Sequence, residues 1–276
     1  MTALPPARAT VARLDTASRW RRFGVDVAAP GWIRLADRLG DGAAMDRWVQ
    51  DERDGMAAGR RDLAGALIVY RFAGSLAELV VGPMVDQRRV LRLTPRDVWF
   101  RLGPAARLDG LAVPDAAVAV APDDPDAGAG HPDVTVVPGD EGLRAVAAGS
   151  LVEVFDPLAR AVRARAPYGL AGMWGTLADH IAETAVARAG RSGGDQRHAW
   201  QATGALLAAL AARQPLLRVR PSLTEVSSPA GAGCFVTKGT CCLVYKVADM
   251  CSSCPLRSDA DRRARFAAHL RRTGGQ

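Results

Sequence analysis

The chain has 276 residues, 49% apolar and 24% charged, with a formal net charge of +7. That balance allows one large core or two modest ones and excludes a mainly disordered chain. No apolar run approaches the ~18 to 20 residues of a membrane helix, because Arg, Asp or Gly interrupts each stretch, so no membrane span is expected. Only Lys238 and Lys246 are lysines; every other basic side chain is arginine. Together with the abundant alanine this reads as GC-rich coding bias. The arginines are dispersed rather than striped, and nucleic acid is not an expected partner. The N-terminus has no continuous apolar stretch of the secretory kind, so a cytoplasmic location is expected.

Residues 1–28 have no clear periodicity and read as a loose lead-in. Over 31–56, Trp32, Leu35, Leu39, Met45, Trp48 and Val49 recur near helical spacing. A mostly apolar helix follows over 61–81, with Gly82-Pro83 as its expected stop. The period then changes. Short Val-rich segments at 97–102, 108–113, 117–120 and 134–137 are separated by Gly, Pro and Asp and predict antiparallel strands. The Pro/Gly-rich acidic stretch 121–133 reads as a surface loop.

Leu143, Val146, Leu151, Val154, Phe155, Leu158 and Val162 share a face and predict a helix. Asp140 and Glu141 suit its positive end, and Pro157 should kink or split it. A second helix carries Leu170, Met173, Trp174, Leu177 and Ile181 and ends near Gly190 and Gly193-Gly194. Asp195 is an expected N-cap for a third, which Pro215 follows. Segments 217–220, 224–226, 235–238 and 242–247 read as strands. Ser258 and Asp261 form a capping box for a last helix to about Leu270. Strands and helices come in blocks, which predicts an α+β fold, mainly helical, with short antiparallel strands and a small C-terminal metal-binding segment. The expected regions are 1–138, 139–214 and 215–276, which can also form one continuous fold.

All five cysteines (Cys234, Cys241, Cys242, Cys251 and Cys254) fall near the C-terminal end. In a chain expected in the cytoplasm this clustering points to metal rather than disulfides. Cys251 and Cys254 have zinc-knuckle spacing; Cys241 and Cys242 are adjacent and would share a metal only if the backbone turns there. A thioredoxin-like redox pair is disfavoured because too little chain follows Cys254 to complete that fold. A [2Fe–2S] cluster on four thiolates offers a wider span of ligand positions. On residue types and spacing alone, zinc and iron–sulfur both stay open.

The run Cys241-Cys242-Leu243-Val244-Tyr245, followed by Cys251-Ser252-Ser253-Cys254-Pro255-Leu256, resembles the C-terminal motif of the FhuF-like ferric-siderophore reductases. The tract from Gly172 to Ala178 is similar to a Leu-Trp-Gly-containing helix of the same family. The resemblance implies a [2Fe–2S] cluster on Cys241, Cys242, Cys251 and Cys254 and one-electron reduction of a ferric siderophore, which weakens the hold of hard oxygen ligands on iron. It also implies an electron donor, expected to be acidic, such as a flavodoxin, ferredoxin or reductase.

Departures from the family pattern are a shorter middle spacer, Lys238-Gly239-Thr240 where an arginine commonly precedes the pair, and the additional Cys234, which could replace one member of the pair. Thr240, Ser252 and Ser253 are candidate donors to the cluster sulfurs. Lys238 and Lys246 are candidates for guiding the donor, and Trp174 for touching substrate. His131, His180, His198 and His269 have no mutual metal spacing and read as surface or capping residues. Other classes compatible with the motif are a non-catalytic iron–sulfur carrier, a redox sensor and a zinc-stabilised binding module.

Overall fold

The computed structural model describes residues 4–14, 22–56 and 59–273. In chain order the elements are α1 (Pro6–Ala12), β1 (Arg22–Gly24), β2 (Trp32–Arg34), α2 (Leu35–Gly40), α3 (Gly42–Asp54), α4 (Arg61–Gln87), β3 (Arg89–Arg92), β4 (Trp99–Leu102), β5 (Leu108–Ala112), β6 (Ala117–Val120) and β7 (Val134–Val136). Then come α5 (Gly139–Arg163), α6 (Leu170–Arg191), α7 (Gln196–Arg213), β8 (Ser222–Ser228), β9 (Gly231–Thr237) and α8 (Asp259–Thr273). About 53% of the chain is helical, and the fold is α+β.

Helix α4 is buried on nearly every side and packs against α3, α5 and α6. By length and composition it is apolar enough to cross a membrane, contrary to the expectation of no such run, and 83% of that stretch is buried inside the protein. It does not stop at Gly82-Pro83 but continues to Gln87, where Arg88 takes a left-handed conformation (φ 53°). Pro83 forfeits one helical hydrogen bond, and Val80, Val81 and Pro83 are buried, so packing outweighs that loss. Helix α5 likewise runs unbroken through Pro157.

The strands form three small sheets, ordered β1-β5-β4-β2, β3-β6-β7 and β8-β9. Two pairings, β1 with β5 and β6 with β7, are parallel rather than antiparallel. A parallel pair needs a long return connection. The loop over 121–133 supplies it between β6 and β7. This loop is also anchored: Asp124 and Asp126 sit 2.6 and 2.8 Å from buried Arg89.

The lead-in contains α1, whose Val11 and Thr10 are buried, and edge strand β1. Residues 217–220 form no strand, nor do 242–247. In the latter, Leu243 is left-handed (φ 62°) and a 3-10 turn covers Val244–Lys246. Their Val, Leu and Tyr content favours strands only where a neighbouring strand is available.

One buried apolar cluster takes residues from Ala7 through Leu217. A second, small cluster of Ala182, Val186 and Val236 fixes the β8–β9 hairpin to α6. Helix α8 closes over the hairpin, with Phe266 stacked on Phe235 at 4.4 Å between ring centres. The Asp261 N–H donates to Ser258 Oγ (3.3 Å), as the cap predicts.

Candidate metal centre

Cys241, Cys242, Cys251 and Cys254 lie in the loop between β9 and α8; only Cys234 is in a strand. Cys251 is exposed, Cys241 and Cys242 are partly covered, and Cys254 is buried. Directly after the adjacent pair, the left-handed Leu243 (φ 62°) turns the chain. Burial raises the Cys242 thiol pKa, with Val244 and Lys238 opposing the rise. The carbonyl of Cys251 accepts from Cys254 N–H (3.2 Å), so the second pair sits on a tight turn. All five thiols are free.

The loop rests on one face of α6. Gly172, Gly175, Thr176, Asp179 and Glu183 recur three or four residues apart and share that face. The Asp179 carboxylate accepts the N–H groups of Gly239 (2.8 Å) and Thr240 (3.1 Å). The Tyr168 hydroxyl donates to the Cys241 carbonyl (3.1 Å) and sits 3.1 Å from Thr176 Oγ1. Ser253 Oγ lies 3.1 Å from Glu183 Oε1 and 3.7 Å from the Cys251 sulfur. The Lys238 N–H donates to the Ser253 carbonyl (3.0 Å), joining both halves of the cysteine motif. Together these contacts hold residues 239–241 and 253 before any metal is considered.

Burial pushes the Asp179 pKa up to about 7, against the two N–H donors that favour its charged form. Burial also pushes Tyr168 up to about 12. A carboxyl whose folded pKa exceeds its unfolded value stabilises the fold below the unfolded value and loses that contribution as pH rises through the folded one. Asp179 therefore stabilises less as pH climbs from 3.8 to about 7. Asn at this position does not titrate. We expect the stability of wild type relative to Asp179→Asn to fall across that window, by a few kcal/mol at most. Denaturant titrations above and below the window check this; a pH-independent difference contradicts it.

Gly175 is required by closeness. A Cβ there would run into Thr240 Oγ1 and lie 3.0 Å from Thr240 Cβ. Since Thr240 precedes Cys241 and its N–H is held by Asp179, the loop cannot retreat freely. Gly175→Ala is expected to cost about 1–3 kcal/mol, measured by chemical denaturation. Adding Thr240→Ala should restore part of it, and strict additivity of the two changes would contradict the contact.

Several expectations about single residues change. Lys238 is not a surface guide: its side chain is 4% exposed and lies 3.4 Å from Glu183. Its ammonium also sits 3.4 Å from the Tyr70 hydroxyl and over the Tyr70 ring at 4.8 Å. Burial works against this charge, but Glu183, Tyr70 and the Cys251 and Cys242 thiols outweigh it and hold its pKa above the ordinary lysine value. Lys246 is half-buried and paired at 3.0 Å with Asp62, which also holds Arg60 at 2.7 Å.

Trp174 does not reach a substrate; it is fully buried, edge-on to Phe155. His180 is no surface residue either. It is buried against the Tyr70 ring, 3.6 Å from Glu183. Thr240 Oγ1 is buried without a hydrogen-bond partner, and Ser252 is exposed beside Cys251.

Tyr70, Tyr168, Asp179 and Glu183 were not singled out from the sequence, and His180 was read there only as a surface or capping residue. The signal that could have found them is the face of α6 pairing two glycines with Asp179 and Glu183.

No three of the described His, Cys, Asp and Glu side chains close on a common point as one metal ion would require. The donor set nonetheless suits iron bound by thiolates. It combines four sulfurs on one loop with a buried ammonium to balance negative charge. No family model matches this chain, and no curated protein matches it.

Proposed function

We propose that this protein is a ferric-siderophore reductase whose [2Fe–2S] cluster is held by Cys241, Cys242, Cys251 and Cys254. The observation that carries the reading is the four-thiol loop, partly open to solvent and anchored at both halves to α6. When bound, the cluster would supply single electrons, which matches the reduction of one Fe³⁺ to Fe²⁺.

The chain's own residues would position and tune that site. Asp179 and Tyr168 hold the first cysteine pair through the backbone, and Glu183 with Ser253 holds the second. Lys238 brings a fixed positive charge beneath both, which favours the more negative, reduced state. Tyr245, Val247 and Leu256 are exposed apolar side chains around the loop (43%, 42% and 56%) and suit a surface that meets a partner or substrate. With Lys238 buried and Lys246 paired, an acidic donor would be recognised less by these lysines than by that apolar surface. The proposed setting is the cytoplasm, where low-molecular-weight thiols keep cysteines reduced.

Single-turnover mixing tests the reading. Protein reduced anaerobically is mixed with a panel of ferric siderophores while a ferrous chelator traps released iron. The expected result is reoxidation matched by about one Fe²⁺ per electron stored. Reoxidation no faster than with buffer for every chelate would leave a carrier or sensor role instead.

A further inference from the structure

A groove of about 730 Å³ runs between α6, β9 and α8 and ends at Ser252 and Ser253, next to Cys251. Its size lies within the range of small-ligand sites. One wall carries the stacked rings of Phe235 and Phe266, with His269 edge-on to Phe235 at 5.9 Å. The opposite wall is α6, where Val186, Ala187 and Gly190 leave space.

Two ionic side chains besides His269 line the groove, Glu183 and Arg191. Glu183 is answered by buried Lys238 and by Ser253. Arg191 is exposed at the rim and has no carboxylate partner among the described residues. The acids of α8, Asp259 and Asp261, are confined to its first turn and are already paired with arginines. The groove therefore offers the Phe235 ring, an arginine at its rim and the Ser252–Ser253 step of the cysteine loop.

Resting on the reductase reading, we propose that this groove seats the iron chelate and that it selects chelates with aromatic, negatively charged arms, of the catecholate or phenolate type. Aromatic rings pack well against the half-buried Phe235, which the buried Phe266 backs. Negative charge on the chelate complements Arg191, and planar arginine recognises oxyanions well. A hydroxamate chelate, without rings or negative charge, gains from neither feature.

The test uses gallium(III) chelates, which cannot be reduced and so report binding alone, titrated calorimetrically into the protein as purified. Ala187→Trp fills the groove from an exposed position, and Arg191→Glu reverses its rim charge; neither touches the core. Gallium(III) tris-catecholate is expected to bind wild type and to lose about tenfold or more in affinity with each variant, at unchanged circular dichroism. A gallium(III) trishydroxamate should bind more weakly and ignore Arg191→Glu. Catecholate affinity unchanged in Ala187→Trp, or absent in wild type, overturns the groove assignment. Equal or tighter hydroxamate binding overturns the proposed selectivity. If the groove passes while ferric catecholate fails to reoxidise the reduced protein, the site stands and the reductase reading falls. Rapid reoxidation that Ala187→Trp leaves untouched removes the groove and retains the reductase.

Discussion

Serine in place of any one of Cys241, Cys242, Cys251 or Cys254 is expected to cost most of the bound iron, whereas Cys234→Ser keeps it. The four lie in one loop whose two halves are tied to each other through Lys238 and Ser253, to α6 through Asp179 and Glu183, and to Tyr168 just before that helix. Cys234 sits earlier, in β9, opposite Glu225. Its N–H and carbonyl are both bound by the Gln196 side-chain amide (3.0 and 3.3 Å). Burial raises the thiol pKa of Cys234 and of Cys242 alike, so what separates Cys234 from the four is its place in β9. Iron per chain, measured on the purified variants, decides the ligand set. A Cys234 variant that loses iron while a Cys241 variant keeps it would exchange the two assignments.

Removal of the metal is expected to loosen the loop and leave the rest standing. The main apolar cluster is continuous across α4, α5, α6 and α7 and includes only Leu243 from the cysteine loop, as a partly buried neighbour. Residues 239, 240 and 253 keep their contacts to α6, and residue 241 its contact to Tyr168, without metal. Between them, residues 242–250 are held by the 3-10 turn, the Lys246–Asp62 pair and an arginine: Arg257 donates to the Met250 carbonyl at 2.5 Å. Metal–thiolate bonds would then supply much of the remaining order of that stretch. Chelated protein should retain most of its helical circular dichroism and be cut first within 242–250, since local opening precedes global unfolding. Early cleavage inside 139–213 would mean that the cluster supports the whole fold.

What the sequence made legible follows from how local each signal is. The Asp195 cap of α7 depends on neighbours a few residues away, and its carboxylate accepts the N–H groups of Arg197 and His198 as expected. The helices around Leu143–Val162 and Leu170–Ile181 likewise declare themselves by period. The extent of α4 does not, because Pro83 is a strong local stop that only tertiary packing overrides. Strand-like Leu243-Val244-Tyr245 has no partner strand, and Leu243 turns the chain instead.

The cysteine cluster was visible as a motif; its support was not. Asp179 and Glu183 look like solvated charges on a helix until β9 delivers Gly239, Thr240 and Lys238 against them. Lys238 itself reads as a surface residue, because nothing adjacent in sequence announces Tyr70 and Glu183 as its partners. Trp174 is a similar case: beside Met173 and Leu177 it could pack or bind, and the fold buries it.

The iron, labile sulfide and zinc content of the anaerobically purified protein, taken together with its absorption spectrum before and after reduction, tests the central claim most directly. We expect about two iron and two sulfide per chain and a red-brown colour that bleaches on uptake of about one electron. A colourless protein carrying zinc, or iron without sulfide, would contradict the cluster and with it the proposed electron transfer.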